Sequence, residues 1–182
     1  MKTSAITAIL CCFSLSVSAA EFKLTSADVA AQATISNKQV FKGFGCSGDN
    51  ISPALSWTGA PAGTLSFALT VYDPDAPTGS GWWHWVVVNI PGTISSLKGG
   101  AGSADGKLLP AGTQQIRTDF GAFGYGGPCP PVGDKPHHYI FTVYALKVPK
   151  LDVGTDATAA LAGFNINGNK LASATFTAFY GR

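Results

Sequence analysis

Histidine and aspartate side chains are the residues of this sequence best suited to chemistry, and they occur in three short segments. His84 lies among tryptophans, and His137 and His138 are adjacent, in segments that each lead into an apolar run. Asp73 and Asp75 lie in an Asp-Pro-Asp-Ala-Pro segment that ends another apolar run. A carboxylate beside an imidazole fixes the ring tautomer and favours the charged imidazolium. These residue types predict a site that binds phosphate or carboxylate groups near neutral pH.

A glycine-rich segment at residues 124–128 adds backbone amides that can approach an anion closely. Together with the histidines and acids, it predicts an anion receptor. Each side chain also has an ordinary structural interpretation. Asp73 can cap a turn, His138 can be a solvent-facing strand residue, and His84 can be a hydrogen-bonded core histidine.

An Asp–His pair can also act as a general acid or base, so catalysis has to be considered. The sequence contains no G-x-S-x-G elbow, and nothing distinguishes Ser52 or Ser80 as a nucleophile. Zinc binding by His84, His137 and an acid fits the residue types, but no H-E-x-x-H or comparable spacing is present. We expect no enzymatic activity, no metal and no cofactor. A hydrolase that uses Asp73 and His137 is the less favoured alternative.

The elements that must position these side chains are mainly strands. Runs rich in Val, Phe, Tyr and Thr, separated by Gly and Pro clusters, predict strands at residues 67–72, 84–90, 139–146 and 174–180. Several runs are apolar almost continuously, as in central strands covered on both faces. The best helix candidate is residues 156–164, with a second short turn near residue 169. One helix against many strands predicts a mostly β fold with antiparallel sheets.

The beginning of the chain has the order of a secretory signal peptide. Lys2 precedes an apolar stretch at residues 5–17, and small residues precede Glu21. We predict a signal peptide at residues 1–20 and a single domain at residues 21–182. The apolar stretch is shorter than the roughly 20 residues of a membrane span, so we expect no stable membrane insertion. The predicted location is the periplasm, with secretion from there as a further possibility.

Charge is scarce and nearly balanced in this sequence. It has 12 Lys and Arg residues against 10 Asp and Glu residues, for a formal net charge of +2. No block of Lys or Arg is present to displace counterions from phosphates, so the composition gives no support for a nucleic-acid partner. Hydrophobic residues make up 46% of the chain, which is enough for a sizeable core.

Cys46 and Cys129 are the cysteines that remain after the predicted signal peptide, because Cys11 and Cys12 lie within it. An even pair in an oxidising compartment is most simply a disulfide. A Cys/His metal site is the competing interpretation, but neither cysteine has a nearby C-x-x-C partner. Closing a loop of about 80 residues stabilises the fold by roughly 4.5 kcal/mol in the chain-entropy model.

Short sequence blocks carry a resemblance to a known family. They are SPALSW, DPDAP, HWVVVNIP and GYGGPCPP, followed by HHY, at residues 52–57, 73–77, 84–91, 124–131 and 137–139. In this order they resemble motifs of the phosphatidylethanolamine-binding protein family, in particular exported members of its bacterial Raf kinase inhibitor-like branch. The resemblance implies a large antiparallel sheet packed on a smaller one, with one or two short helices. It also implies a shallow pocket for phosphate, phosphorylated head groups or acetate-like anions.

Transferred position by position, the resemblance implies which residues contact a ligand. The expected ligand-binding residues are Asp73, Pro77, His84, Tyr125, Gly127, Cys129, His137 and Tyr139, with Tyr125 and the backbone of residues 127–129 at the pocket mouth. Asp75 is expected to support the turn and the pocket wall. Trp83 departs from the eukaryotic relatives, which tend to carry a second histidine there, and Cys129 occupies a loop site that is small in those relatives.

The function that follows is an exported binding protein for a small anionic ligand or a phosphorylated group. The alternative is a protein-level inhibitor or modulator of a protease, kinase or host target in the envelope or outside the cell. In that case an exposed loop would make the contact. The sequence leaves open whether the protein forms a homodimer.

Overall fold

The computed structural model describes residues 20–182, so the predicted signal peptide lies outside the described residues except for Ala20. Within residues 20–182 the chain forms ten strands and one helix. The strands are β1 Lys23–Ser26, β2 Lys42–Gly43, β3 Cys46–Ser47, β4 Leu55–Thr58, β5 Ser66–Asp73, β6 Trp82–Pro91, β7 Ser96–Leu97, β8 Gln114–Gln115, β9 His137–Leu146 and β10 Lys170–Tyr180, and the helix is α1 Ala159–Asn169.

Strand β5 is the centre of a five-stranded sheet with the order β10-β9-β5-β6-β8. Thr70 of β5 pairs antiparallel with Val86 of β6 on one side and with Thr142 of β9 on the other. Because both neighbours run antiparallel, the end of β5 lies beside the beginnings of β6 and β9. This pairing brings the Asp73 segment and both histidine segments to one edge of the sheet.

The large sheet is covered on both faces, as the continuous apolar runs predict. Side chains alternate between the faces of a strand, so Val87 packs in one core with Trp57 of β4, whereas Val86 packs in a second core with Ile166 of α1. Strand β4 belongs to a smaller three-stranded sheet with the order β1-β4-β7. Each fully buried side chain of this size contributes about 1.5–3 kcal/mol. The predicted mostly β architecture, with a larger sheet packed on a smaller one, is confirmed.

The four predicted strands all form, and each extends beyond its apolar run. The helix begins at Ala159, later than predicted, because the Thr158 side chain caps it by accepting a hydrogen bond from the amide of Leu161. Asp156 lies in the preceding turn. The helix runs without interruption to Asn169, so the separate turn predicted near that residue is wrong: it is the last turn of the same helix.

Cys46 and Cys129 form the predicted disulfide, with their Cα atoms 6.0 Å apart and 83 positions between them in the sequence. The bond ties β3 to the loop that precedes β9. Among residues 20–182, no group of three or more His, Cys, Asp and Glu side chains is arranged to hold a metal ion. No helix in this part of the chain is long and apolar enough to cross a membrane.

Reducing the disulfide should lower the free energy of unfolding by roughly 2–5 kcal/mol, because the unfolded chain gains conformational freedom. Urea denaturation with and without reductant measures the difference. The double variant Cys46→Ser with Cys129→Ser is the control, and its stability should not respond to reductant. A loss of less than about 1 kcal/mol on reduction would contradict the prediction.

Candidate functional site

Asp73 is the last residue of β5, and only 3% of its surface is exposed. Its Oδ1 atom accepts hydrogen bonds from the amides of Asp75 at 2.8 Å and Ala76 at 3.2 Å. Its Oδ2 atom lies 2.8 Å from His137 Nδ1 and 4.0 Å from His84 Nε2. One carboxylate oxygen of Asp73 therefore caps the turn, as the structural interpretation predicts, and the other faces the two histidines.

His84 is the third residue of β6, and a hydrogen bond across the fold determines its tautomer. Its Nδ1 atom lies 2.6 Å from the carbonyl oxygen of Gly126, which can only accept, so Nδ1 carries the hydrogen. Burial lowers the pKa of His84 to about 4, although the Gly126 hydrogen bond and the Asp73 charge oppose this shift. At neutral pH the ring is uncharged and its Nε2 atom presents a lone pair.

His137 is the first residue of β9, and it lies between two carboxylates. Its Nδ1 atom donates to Asp73 Oδ2 at 2.8 Å, and its Nε2 atom lies 3.4 Å from Asp134 Oδ2. Burial acts to lower the pKa of His137, but the hydrogen bond and charge of Asp73, with the hydrogen bond of Asp134, outweigh it and raise the pKa above 6.5. The two histidines that meet at Asp73 thus have opposite tendencies toward protonation.

Tyr139 lies two residues after His137 on β9, so both side chains point to the same face of the sheet. Its ring packs edge-on against His84, with centroids 5.1 Å apart. The Tyr139 side chain is buried, and its hydroxyl has no hydrogen-bond partner among the described residues. Burial first, and the Asp73 charge second, raise the pKa of Tyr139, so the hydroxyl keeps its proton. The hydroxyl is therefore a buried, unpaired donor of a residue that lines the site.

These four side chains border a cavity of about 170 Å³ at the edge of the large sheet. The remaining walls come from the turn after β5, the start of β6, the β2–β3 turn and the β8–β9 loop, and the residues concerned are Phe44, Ala76, Pro77, Thr78, Trp82, Phe120, Cys129, Pro130 and Pro131. The floor of the cavity is polar and its rim is mostly apolar. Such a site can hold a small polar group on its floor, next to apolar side chains at the rim.

Comparison with known proteins identifies the family. A sequence model of the phosphatidylethanolamine-binding proteins matches residues 25–181. The chain belongs to the phosphatidylethanolamine-binding protein family. It is 52% identical to YbcL of Escherichia coli over 180 residues, which is 99% of this chain and 98% of YbcL. The crystal structure of YbcL, described as a new member of the mammalian family, superposes with a TM-score of 0.88 at 55% identity, covering 90% of this chain and 99% of YbcL's.

Two further relatives extend the comparison. YbhB of Escherichia coli is 51% identical over 158 residues, which is 87% of this chain and 99% of YbhB. A Mycobacterium tuberculosis protein named as a lipoprotein, LppC, is 42% identical over 123 residues, which is 65% of this chain and 57% of LppC. The resemblance found in the sequence blocks is thus confirmed at the level of the family.

Most of the residues expected at the pocket of this family member do line its cavity: Asp73, Pro77, His84, Cys129, His137 and Tyr139. The structure also tests two interpretations from the sequence, a core role for His84 and a solvent-facing position for His138. His84 is a buried, hydrogen-bonded residue and a cavity residue at once. His138 lies on the solvent side, where its Nδ1 atom pairs with Asp75 Oδ2 at 2.6 Å.

Tyr125 and Gly127 do not line the cavity, contrary to the expectation that they form its mouth. The Tyr125 hydroxyl is buried and donates to the carbonyl of Gln39 at 3.1 Å, next to a neighbouring cavity. The Gly127 amide donates to Asn50 Oδ1 at 2.7 Å, and a Cβ atom at this position would lie 2.0 Å from the Gln39 oxygen. Gly127 is required for close backbone packing, and its amide is not available to a ligand.

Arg182 was not predicted from the sequence; it does not line the cavity, but it contacts two loops that do. Its guanidinium donates to the carbonyls of Pro130 at 2.7 Å, Gly45 at 3.1 Å and Phe44 at 3.2 Å. These loops are the two that the disulfide also joins. Every residue has a backbone carbonyl, so the sequence contains no signal that Arg182 binds these three.

We expect the two buried histidines to titrate in opposite directions from the ordinary histidine pKa. His84 should remain neutral, with the hydrogen on Nδ1, until the pH approaches 4, because burial disfavours its charged form. His137 should keep its charge above pH 6.5, because Asp73 and Asp134 stabilise the imidazolium. Chemical shifts of the ring nitrogens measured by NMR as a function of pH distinguish the two. A His84 ring that is charged at pH 6.5 would contradict the assignment.

Proposed function

We propose that this protein is an exported binding protein whose cavity holds phosphate or another phosphorylated group. The observation that carries the proposal is the buried Tyr139 hydroxyl, which has no partner among the described residues. A buried donor left unpaired destabilises a protein by about 1–3 kcal/mol. An oxyanion in the cavity supplies the missing acceptor and offsets this loss.

The surroundings of the cavity also favour a small charged group. The charged form of His137, which Asp73 and Asp134 stabilise, places a positive charge in the wall. The aromatic rings of Trp82 and Phe120 pack 5.4 Å apart at the rim and keep the local dielectric low. A hydrogen bond to a charged oxygen is stronger in such an environment than in water.

A location in the cell envelope is part of the same proposal. The order of residues 1–20 is typical of a signal peptide, and the disulfide between Cys46 and Cys129 is typical of an oxidising compartment. The relative LppC is named as a lipoprotein. These features support a location in the periplasm, with secretion from there as a further possibility. We propose no enzymatic activity for the protein.

Replacing Tyr139 by phenylalanine removes only the unpaired hydroxyl. We expect binding of inorganic phosphate and phosphoethanolamine to weaken roughly tenfold or more, because a hydrogen bond to a charged group contributes about 1.5–3 kcal/mol. The free protein should be as stable as the wild type or more so, since the unpaired group is gone. Isothermal titration calorimetry and thermal unfolding measure these two effects.

Tyr125→Phe is the matched control for this experiment. It also removes a buried tyrosine hydroxyl, but that hydroxyl donates to Gln39 outside the cavity. This variant should lose stability and keep its affinity for phosphate. Equal affinities of the wild type and Tyr139→Phe, or the absence of binding to the wild type, would refute the proposed role of Tyr139.

A regulator that binds another protein is the second candidate function, and the rim of the cavity favours it. Phe44 is 69% exposed and Val132 is 76% exposed, and both lie in the loops that border the cavity. If these side chains contact an envelope or extracellular protein, Phe44→Ser with Val132→Ser should abolish chemical cross-linking to that protein. Tyr139→Phe should not affect it. Loss of the same cross-link in Tyr139→Phe would assign the contact to the cavity instead.

A further inference from the structure

The floor of the cavity presents hydrogen-bond acceptors that a fully deprotonated anion cannot satisfy. Asp73 Oδ2 already accepts from His137, and it retains a lone pair. His84 Nε2 presents a second lone pair 4.0 Å away, because the ring hydrogen is held on Nδ1 by the Gly126 carbonyl. An anion whose oxygens carry no hydrogen would place negative charge against both acceptors.

Beside the polar floor, away from the Trp82 indole at the rim, side-chain donors are few. Tyr139 offers one free hydroxyl, whereas both ring nitrogens of His137 face carboxylates, Asp73 and Asp134. None of the described residues that line the cavity is lysine or arginine. A ligand that uses the groups at the floor accepts a hydrogen bond from Tyr139 and donates one toward Asp73 or His84.

We infer that the cavity selects anions that carry a proton of their own, namely inorganic phosphate and phosphate monoesters in the singly charged form, over sulfate and phosphate diesters. This inference rests on the proposed function and narrows its ligand class. The P–OH group of such a ligand donates to Asp73 Oδ2 or His84 Nε2. An unprotonated oxygen of the same ligand accepts from Tyr139.

A ligand without a proton would have to bind together with a proton taken up by His84. The titratable and charged groups around that ring are Asp73, Asp119, His137 and Tyr139, and the carboxylates favour its protonation. Burial outweighs them and keeps the pKa of His84 low, so the proton is costly to add near neutral pH. A phosphate monoester avoids this cost, because it carries its own proton below its second ionisation, at a pH of about 6.

Two pairs of ligands test the inference on the unmodified mature protein by calorimetry at a pH of about 5.5, where the monoester is singly charged. Methyl phosphate and dimethyl phosphate have the same charge there but differ in the P–OH group. Phosphate and sulfate are the same size but differ in the ability to carry a proton. We expect the protonated member of each pair to bind at least roughly tenfold more tightly. Its affinity should fall by up to about tenfold per pH unit above the ligand's own ionisation.

The outcomes separate this inference from the proposed function. If no phosphate compound binds, the proposed function fails. If both members of each pair bind with equal affinity, the protein is an anion receptor but the inferred selectivity is wrong. Binding of methyl phosphate as tight as that of phosphate supports an esterified ligand, and tight binding of phosphate alone supports the free ion; both outcomes agree with proton selectivity.

Asp73→Asn provides a second, independent test. The side-chain oxygen of asparagine can keep the hydrogen bonds from Asp75 and Ala76, while the amide nitrogen replaces the acceptor Oδ2 by a donor. We expect the preference for phosphate over sulfate to shrink at least about threefold. Circular dichroism verifies the fold of the variant. An unchanged preference in a folded variant would overturn the inference, and the wild-type ligand pairs decide it if the variant does not fold.

Discussion

The buried carboxylate of Asp73 is the interaction on which the rest of the site depends. A buried negative charge is tolerated only when it is paired and hydrogen-bonded. Here two amides of the following turn and the imidazole of His137 meet that requirement. The same contacts fix the turn after β5 and the first residue of β9, so the end of the sheet and the binding site form one structural unit.

The rim of the cavity consists of loops with little regular structure, so other contacts must hold it in place. The disulfide between Cys46 and Cys129 and the guanidinium of Arg182 tie the same two loops together. One connection is covalent and the other uses a cation to bind backbone carbonyls. The polar floor therefore rests on a rigid sheet, and the apolar rim around it is held by these two connections.

The chemistry of the site depends on differences in burial and hydrogen bonding between side chains of the same type. His84 and His137 both lie near Asp73, and burial acts to lower the pKa of each. Burial prevails at His84, whereas at His137 the hydrogen bonds and charge of the neighbouring carboxylates together outweigh it. Tyr139 and Tyr125 are both buried, but only the hydroxyl of Tyr139 has no partner among the described residues. The result is a cavity whose floor has two acceptors, the Asp73 carboxylate and His84 Nε2, beside the unpaired Tyr139 hydroxyl. That pattern, more than net charge, underlies the proposed preference for a protonated phosphate.

The sequence by itself determined the fold class, the principal strands and the disulfide, because apolar runs rich in Val, Phe, Tyr and Thr, turn formers and an even pair of cysteines are local or compositional signals. The sequence blocks that resemble the family motifs also located Asp73, His84 and His137. Only the tertiary structure decided the tautomer of His84, the orientation of Tyr125 away from the cavity and the hydrogen bonds by which Arg182 joins two loops. Each of these depends on a partner distant in the chain and on burial. Hydrogen bonding and desolvation between distant segments arise when the strands pair, and residue spacing does not encode them.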